Sequence, residues 1–295
     1  MANAINSSPN KLILVKLISL LSLVRWYNII LIVSAQYLAS LFIVHDIGSW
    51  KEVLFDPKLF FLAISSALLI AAGYIINGFY DSEKDMINNP DVALFNQIVS
   101  KKFRLYCYFS FNFVGVVLAF LVSLEIVIFH FLFSVGLWLY SHKFKKILFI
   151  GNLTGTFLSI VPFFSISIYY HTIDPFIILY VGYVFLIELT REIIKDMIAV
   201  KGDFIMGYKT LPVEFGLSKT KLVVLLFQML TISIPFFLYL LKGVSTIMLY
   251  FLFSAIMIVG SMIVLLVSEE KSTLTIVNNI YKFILLAGII SIVLF

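Results

Sequence analysis

The stretch Asn77-Gly-Phe-Tyr-Asp81-Ser-Glu-Lys-Asp85 follows directly on an apolar run, and that junction decides how the chain is read. The run, roughly residues 58–80, matches the ~20 apolar residues needed to cross a bilayer core. Carboxylates at the mouth of such a helix are expensive to keep there, and a divalent cation is a usual reason for keeping them. A second acidic stretch, Arg191-Glu-Ile-Ile-Lys195-Asp196, again follows an apolar run and continues through Gly202-Asp203 to Lys209-Thr-Leu-Pro212. Two such clusters facing one another would chelate metal ions around a diphosphate. The pattern points to a membrane enzyme.

Composition agrees. The chain is 62% hydrophobic and 13% charged, against roughly 25% charged for a soluble domain, and its mean hydropathy is +1.08. Apolar runs recur along its whole length, so an all-α polytopic membrane protein is expected. The net charge of +5 does not argue for nucleic acid, because the basic residues sit in short loops between apolar runs. The lone Cys107 admits no disulfide and reads as a lipid- or core-facing small residue. No cleavable signal peptide is evident; the first hydrophobic helix would direct insertion.

Nine spans are expected, at about 20–44, 58–80, 104–122, 124–140, 147–170, 175–195, 219–241, 245–267 and 276–294. Val122-Ser-Leu-Glu125 divides the third from the fourth, and His171-Thr-Ile-Asp174-Pro175 reads as the turn between the fifth and sixth. With the N-terminus inside, 17 Lys and Arg residues fall on the cytoplasmic side and 3 on the other. That asymmetry fixes the expected topology. It puts both acidic stretches on the cytoplasmic face, in polar loops at about 81–103 and 195–218. Each closes the second span of a four-span unit, so a tandem duplication with the ninth helix extra is expected, residues 1–295 forming a single domain.

Asn77, Asp81 and Asp85 are spaced i, i+4, i+8 and lie on one face of a continuing helix. Their oxygens form a line suited to one or two Mg²⁺ ions, which prefer one or two carboxylates and leave room for phosphate oxygens. Asp196 and Asp203 are two helical turns apart, and Gly202 leaves open whether the helix reaches Asp203. Either cluster alone also reads as a solvated loop edge; the recurrence at equivalent helix ends favours metal. Lys145, Arg191, Lys195 and Lys209 stand near these acids as candidate diphosphate ligands, Arg as a bidentate fork and Lys as a point charge. The same residues also serve as positive-inside anchors, the preferred reading for Lys143, Lys146, Lys219 and Lys221. Glu188 lies one turn before Arg191 and is expected to face the cavity and pair with it. Glu125, His45, His130 and His171 read as interfacial, while His142 lies close enough to the site to contact phosphate.

The first motif resembles the NxxxDxxxD signature of the UbiA superfamily of intramembrane prenyltransferases. The second is similar to the form found in the superfamily's branch of digeranylgeranylglyceryl phosphate synthases, chlorophyll synthases and homogentisate prenyltransferases. Tyr140-Ser-His-Lys-Phe-Lys145, Gly151-Asn152 and Arg25-Trp-Tyr-Asn28 resemble further family segments in the right order, over about residues 25–216. The resemblance implies two four-helix units around a central cavity, with Arg25, Asn28 and Tyr140 added to the substrate-binding set. It implies Asp81, Asp85 and Asp196 as catalytic, with Asn77 and Asp203 joining them as Mg²⁺ ligands. The reaction implied is transfer of a polyprenyl group, geranylgeranyl by the form of the second motif, from its diphosphate to a lipophilic acceptor. Geranylgeranylglyceryl phosphate is the favoured acceptor and an aromatic ring the runner-up, in the plasma membrane of a prokaryote. Three departures stand out. Ala199 occupies a position where the family has an acid, Trp26 one where it has proline, and Val92-Ala-Leu-Phe-Asn-Gln97 replaces a segment bearing a basic diphosphate ligand. These losses keep a catalytically lapsed homologue among the alternatives. A secondary transporter is the other, although transporter sites lie near mid-bilayer with broken helices and these acids cluster at one face.

Overall fold

A computed structural model describes residues 9–44, 49–172, 175–243 and 245–294, and among them every regular element is helical. In chain order these are α1 (Pro9–Val24), α2 (Trp26–Ala39, prolonged by a π turn over Ser40–Val44), α3 (Trp50–Leu54), α4 (Pro57–Tyr80), α5 (Ser82–Asn88), α6 (Pro90–Asn96), α7 (Lys101–Ala119) and α8 (Leu124–His142). A 3₁₀ turn at Phe144–Lys146 leads to α9 (Ile150–Tyr170), α10 (Pro175–Ile205), α11 (Leu211–Phe215), α12 (Leu217–Lys242), α13 (Met248–Val267) and α14 (Lys271–Ser291). In hydrocarbon a helix satisfies its own N–H and C=O groups, which is why such apolar runs fold this way.

Seven helical segments among the described residues are long and apolar enough to cross a membrane: Trp26–Ile43, Pro57–Tyr80, Leu124–Lys146, Ile150–Tyr170, Leu217–Leu240, Met248–Val267 and Lys271–Leu294. The other two expected spans coincide with α7 and α10, whose charged ends, Lys101, Lys102 and Arg104 in one and Glu188, Arg191 and Glu192 in the other, dilute the apolar run. His45 and the Ile173-Asp174 centre of the expected turn lie outside the described residues.

The helices form two compact units. The first comprises α1, α2 as far as Val33, and the chain from Phe61 in α4 through α8 to His142. Here α7 and α8 pack on α4 through small and polar residues, the usual adhesive between membrane helices. A Cβ on Gly115 would stand 3.0 Å from the Leu69 side chain and 3.4 Å from Ser65 O, so α7 lies close against α4 here. Ser65 Oγ donates to Gly115 O at 2.7 Å and therefore accepts from Nδ1–H of His130 at 2.6 Å. His130 Nε2 then lies 3.3 Å from Ser66 Oγ. His130 is buried, at 1% exposure. The interfacial reading of it is corrected: a histidine inside an apolar run is here a hydrogen-bonded core residue. Glu125 and His171 are exposed at helix ends, and Cys107 packs beside Leu23, Val24, Ala71 and Ile75.

The second unit comprises the rest of α2, α3, the start of α4 to Phe60, and the chain from Lys143 through α14. Its core is aromatic and laced with hydrogen bonds. Tyr183 packs edge-on against Phe251 and Tyr250, with ring centroids 5.1 and 6.1 Å away, and shares a hydrogen bond with Ser254. Gln228 Nε2 donates to Ser261 Oγ at 2.8 Å, tying α12 to α13. Outward-facing residues such as Phe113, Phe120, Leu240 and Val267 are exposed apolar side chains suited to lipid.

Two boundaries differ from expectation. The first span does not run unbroken through 20–44: Arg25 adopts a left-handed φ of 50°, separating α1 from α2. The expected polar loop at 195–218 is helical to Ile205, so Gly202 does not end α10. One glycine costs a helix only about 1 kcal/mol, which the burial of Ile193, Ile194 and Met197 on the same helix outweighs.

Candidate active site

In the first unit, the junction of α4 and α5 keeps helical hydrogen bonding. Asp81 N–H donates to Asn77 O at 2.9 Å, Asp85 N–H to Asp81 O at 2.8 Å, and Asn89 N–H to Asp85 O at 2.8 Å. This i to i−4 ladder stacks Asn77, Asp81 and Asp85 in one line, as their spacing predicts. Asp81 sits at the join with φ −88° and ψ 0°, and its carboxylate does not cap α5. It is buried, whereas Asn77 and Asp85 are half-buried.

Arg25 and Asn28 converge one turn below the start of that line. The Arg25 guanidinium lies 5.3 Å over the ring of Tyr74, and Asn28 Nδ2 donates to the Tyr74 hydroxyl at 3.1 Å. Tyr74 precedes Asn77 by three residues on the same helix, so the left-handed Arg25 brings both side chains to the acidic end of α4. At the end of α8, His142 stacks on Trp138 and packs against Tyr80, each at 5.4 Å between centroids, with the half-buried Tyr140 in the same turn.

In the second unit, α10 carries both Asp196 and Asp203, two turns apart on one face. Asn152 on α9 donates from Nδ2 to Asp196 Oδ2 at 2.7 Å. Asp203 is fully buried; Tyr208 N–H closes the helix end on its carbonyl at 2.8 Å, and Thr210 Oγ1 approaches Oδ2 at 3.5 Å. Ala199 lies between the two acids on that face and is half-buried. Lys209 N–H donates to Lys146 O at 3.1 Å, which fastens the segment after α10 to the 3₁₀ turn. Lys146, which is exposed, places Nζ 5.5 Å over the Tyr208 ring. Lys145 is buried at 8% exposure and is held by a tight crossing: a Cβ on Gly151 would stand 3.0 Å from both Cα and O of Lys145.

Two cations on α10 come with partners on their own helix. Arg191 Nη1 bonds Glu188 Oε1 at 2.7 Å, as the sequence predicts, and Lys195 Nζ bonds Glu192 Oε1 at 2.6 Å, a pairing the sequence reading did not anticipate. Tyr74, Asn152, Glu192 and Thr210 were likewise absent from the candidate set. Asn152, Glu192 and Thr210 lie within quoted motif stretches without a role assigned, and Tyr74 left no trace.

The donor set suits magnesium. Within each unit, the described residues bring together no group of three or more His, Cys, Asp or Glu side chains able to close around a metal. Each unit instead offers two carboxylates on one helical face: Asp81 and Asp85 in the first, Asp196 and Asp203 in the second. A structural zinc site would need four closed ligands. Magnesium binds through one or two carboxylates and keeps its remaining positions for water and phosphate oxygens.

Comparison with known proteins places the chain in a family. Residues 16–284 match the UbiA prenyltransferase family, and the chain belongs to it. It is therefore a membrane prenyltransferase. The chain is 33% identical to digeranylgeranylglyceryl phosphate synthase of Sulfurisphaera tokodaii over 227 residues, 73% of this chain and 77% of that one. Its fold is that of a solved digeranylgeranylglyceryl phosphate synthase structure, with a TM-score of 0.68 at 22% identity, covering 94% of this chain and 97% of the other. A UbiA homologue from Archaeoglobus fulgidus bound to GPP and Mg²⁺ has a TM-score of 0.67 at 16% identity, covering 93% and 99%.

Proposed function

We propose that the protein transfers a geranylgeranyl group from its diphosphate to the free hydroxyl of geranylgeranylglyceryl phosphate, with Mg²⁺. The observation that carries this reading is the unbroken hydrogen-bond ladder stacking Asn77, Asp81 and Asp85 at the end of a membrane helix. Its occurrence in a chain related to a digeranylgeranylglyceryl phosphate synthase supports the choice of substrates. Residues 1–295 act as one domain whose nine spans include α7 and α10, with the N-terminus and the acidic helix ends on the cytoplasmic side. The excess of Lys and Arg on that side supports the orientation.

Asn77, Asp81 and Asp85 in the first unit, and Asp196 and Asp203 in the second, are the groups that would hold metal. Mg²⁺ bound there would neutralise the diphosphate as it leaves. Asn152 holds the Asp196 carboxylate in a fixed plane. Lys145, Arg191, Lys195 and Lys209, with Arg25 and Asn28, orient the diphosphate oxygens, the arginines through their fork geometry. The allylic carbon–oxygen bond breaks and its electron pair leaves with diphosphate. The Tyr140 ring face stabilises the allylic cation. The acceptor oxygen forms the new ether bond and its proton passes to water.

The test is transfer by purified protein in detergent, with labelled geranylgeranyl diphosphate, Mg²⁺ or EDTA, and glyceryl-phosphate and aromatic acceptors in parallel. Product that needs Mg²⁺ and the glyceryl-phosphate acceptor, and is lost in Asp81→Asn, supports the proposal. Prenylation of the aromatic acceptor alone would overturn the choice of acceptor.

A further inference from the structure

A second polar feature of the first unit lies apart from the acidic line. It is a cleft of about 400 Å³ lined by Ser82, Glu83 and Met86 of α5, Gln97 after α6, and Lys101 and Arg104 of α7. At 100° per residue, Ser82, Glu83 and Met86 occupy a different face of α5 from Asp81 and Asp85.

Arg104 makes this cleft unusual. It is 2% exposed, its Nε is buried with no hydrogen-bond partner, and among the described residues its side chain makes no ion pair. Glu83, the only carboxylate in the lining, makes no ion pair either. A guanidinium carries five donors and stays charged, so burying one without an anion is strongly unfavourable unless an anion comes to it. Lys101 stands one turn earlier at the mouth of the cleft. There α7 begins, with Ser100 Oγ capping Phe103 N–H at 3.3 Å and the first amides of the helix adding their positive end. Two cations, one carboxylate, a serine hydroxyl and a glutamine amide form a lining with net positive charge. The sequence reading counts Arg104 among the cytoplasmic cations; in the fold it is also buried against this cleft.

We infer that this cleft binds a phosphate group, with Arg104 as its principal ligand and Lys101 at its rim. Resting on the function proposed above, the source is the phosphomonoester headgroup of the acceptor lipid. The acidic helix faces, which would need metal to hold phosphate, are left to the donor diphosphate.

The test is equilibrium binding to purified protein in detergent without Mg²⁺. The probes are geranylgeranylglyceryl phosphate, its dephosphorylated alcohol, inorganic phosphate as competitor, and geranylgeranyl diphosphate. Arg104→Gln is expected to raise Kd for the phosphorylated lipid about 10- to 100-fold, the worth of hydrogen bonds to a charged group, and to leave the alcohol unchanged. Lys101→Gln, at an exposed position, is expected to raise it about threefold. A loss confined to the diphosphate in Arg104→Gln supports the phosphate site and transfers it to the donor. Arg104-dependent binding without any product would sink the proposed function while leaving the cleft standing. Overturning outcomes are unchanged affinity for every probe in a folded Arg104→Gln protein, or, should that variant not fold, unchanged affinity in Lys101→Gln with no competition by inorganic phosphate.

Discussion

Asn152 on α9 holds Asp196 on α10 through a hydrogen bond of 2.7 Å from Nδ2 to Oδ2. The amide fixes the plane of a carboxylate assigned to Mg²⁺, the part outer partners play in metal sites generally. Asn152→Ala is expected to weaken Mg²⁺ activation or lower turnover by about 10- to 100-fold with little change in unfolding temperature. A Mg²⁺ titration of prenyl transfer checks this; an activation curve that coincides with the parent's would remove Asn152 from the site.

Asp81 is buried at the join of two helices without capping the second. Asp81→Asn is expected to reduce turnover by at least about 100-fold, since leaving-group neutralisation is worth several kcal/mol and each tenfold is about 1.4 kcal/mol. Without Mg²⁺ its unfolding temperature supplies the baseline, and the stabilisation conferred by saturating Mg²⁺, about 2.7 kcal/mol at one hundred times Kd, should shrink. Thermal unfolding with and without the ion measures both.

Much of this arrangement was legible beforehand, and what was missed has a common cause. Apolar run length finds α4, α8, α9 and α12–α14, and the i, i+4 spacing finds the line of Asn77, Asp81 and Asp85, because both are local periodicities. The break at Arg25 has no glycine or proline to announce it. The burial of His130 depends on Ser65 and Ser66, more than sixty residues away, and the hold on Asp196 on a partner 44 residues away. Gly202 leaves the helix end open by propensity, and packing of the rest of α10 carries the helix past it. Long-range partners decide these cases.

His130 separates a structural role from a catalytic one. Replacing it by Ala leaves a void and takes away the hydrogen bonds to Ser65 and Ser66. A loss of about 1–3 kcal/mol in stability is expected, with turnover per folded molecule unchanged at saturating Mg²⁺. A tenfold fall in turnover in folded protein would give His130 a catalytic part.

Two glycines of the second unit make a matched pair. At Gly151 a Cβ would meet the Lys145 backbone at 3.0–3.1 Å, and backbone cannot rotate away as a side chain can. Gly151→Ala is expected to cost about 1–3 kcal/mol and, by displacing Lys145, to raise KM for the prenyl diphosphate. At Gly182, within α10, a Cβ would meet nothing within 4 Å. Gly182→Ala should be neutral or stabilising by up to about 1 kcal/mol, as helix propensity dictates. Equal effects at the two positions would mean that the crossing at Lys145 is looser than its distances imply.

Arg191 and Glu188 meet at 2.7 Å with side chains only 15% and 10% exposed, so each neutralises the other where water is scarce. Removing one partner of a buried pair costs about 3–5 kcal/mol, whereas removing both can be nearly neutral. Glu188→Gln and Arg191→Gln should therefore each lower the unfolding temperature, and the double variant should recover most of that loss. Activity separates the two roles assigned to Arg191. A purely structural ion pair would regain activity along with stability in the double variant. If Arg191 also grips the diphosphate, the double variant regains its fold but keeps the raised KM of Arg191→Gln. Steady-state kinetics beside thermal unfolding of all four proteins decides between them, and full kinetic recovery in the double variant would strike Arg191 from the diphosphate ligands.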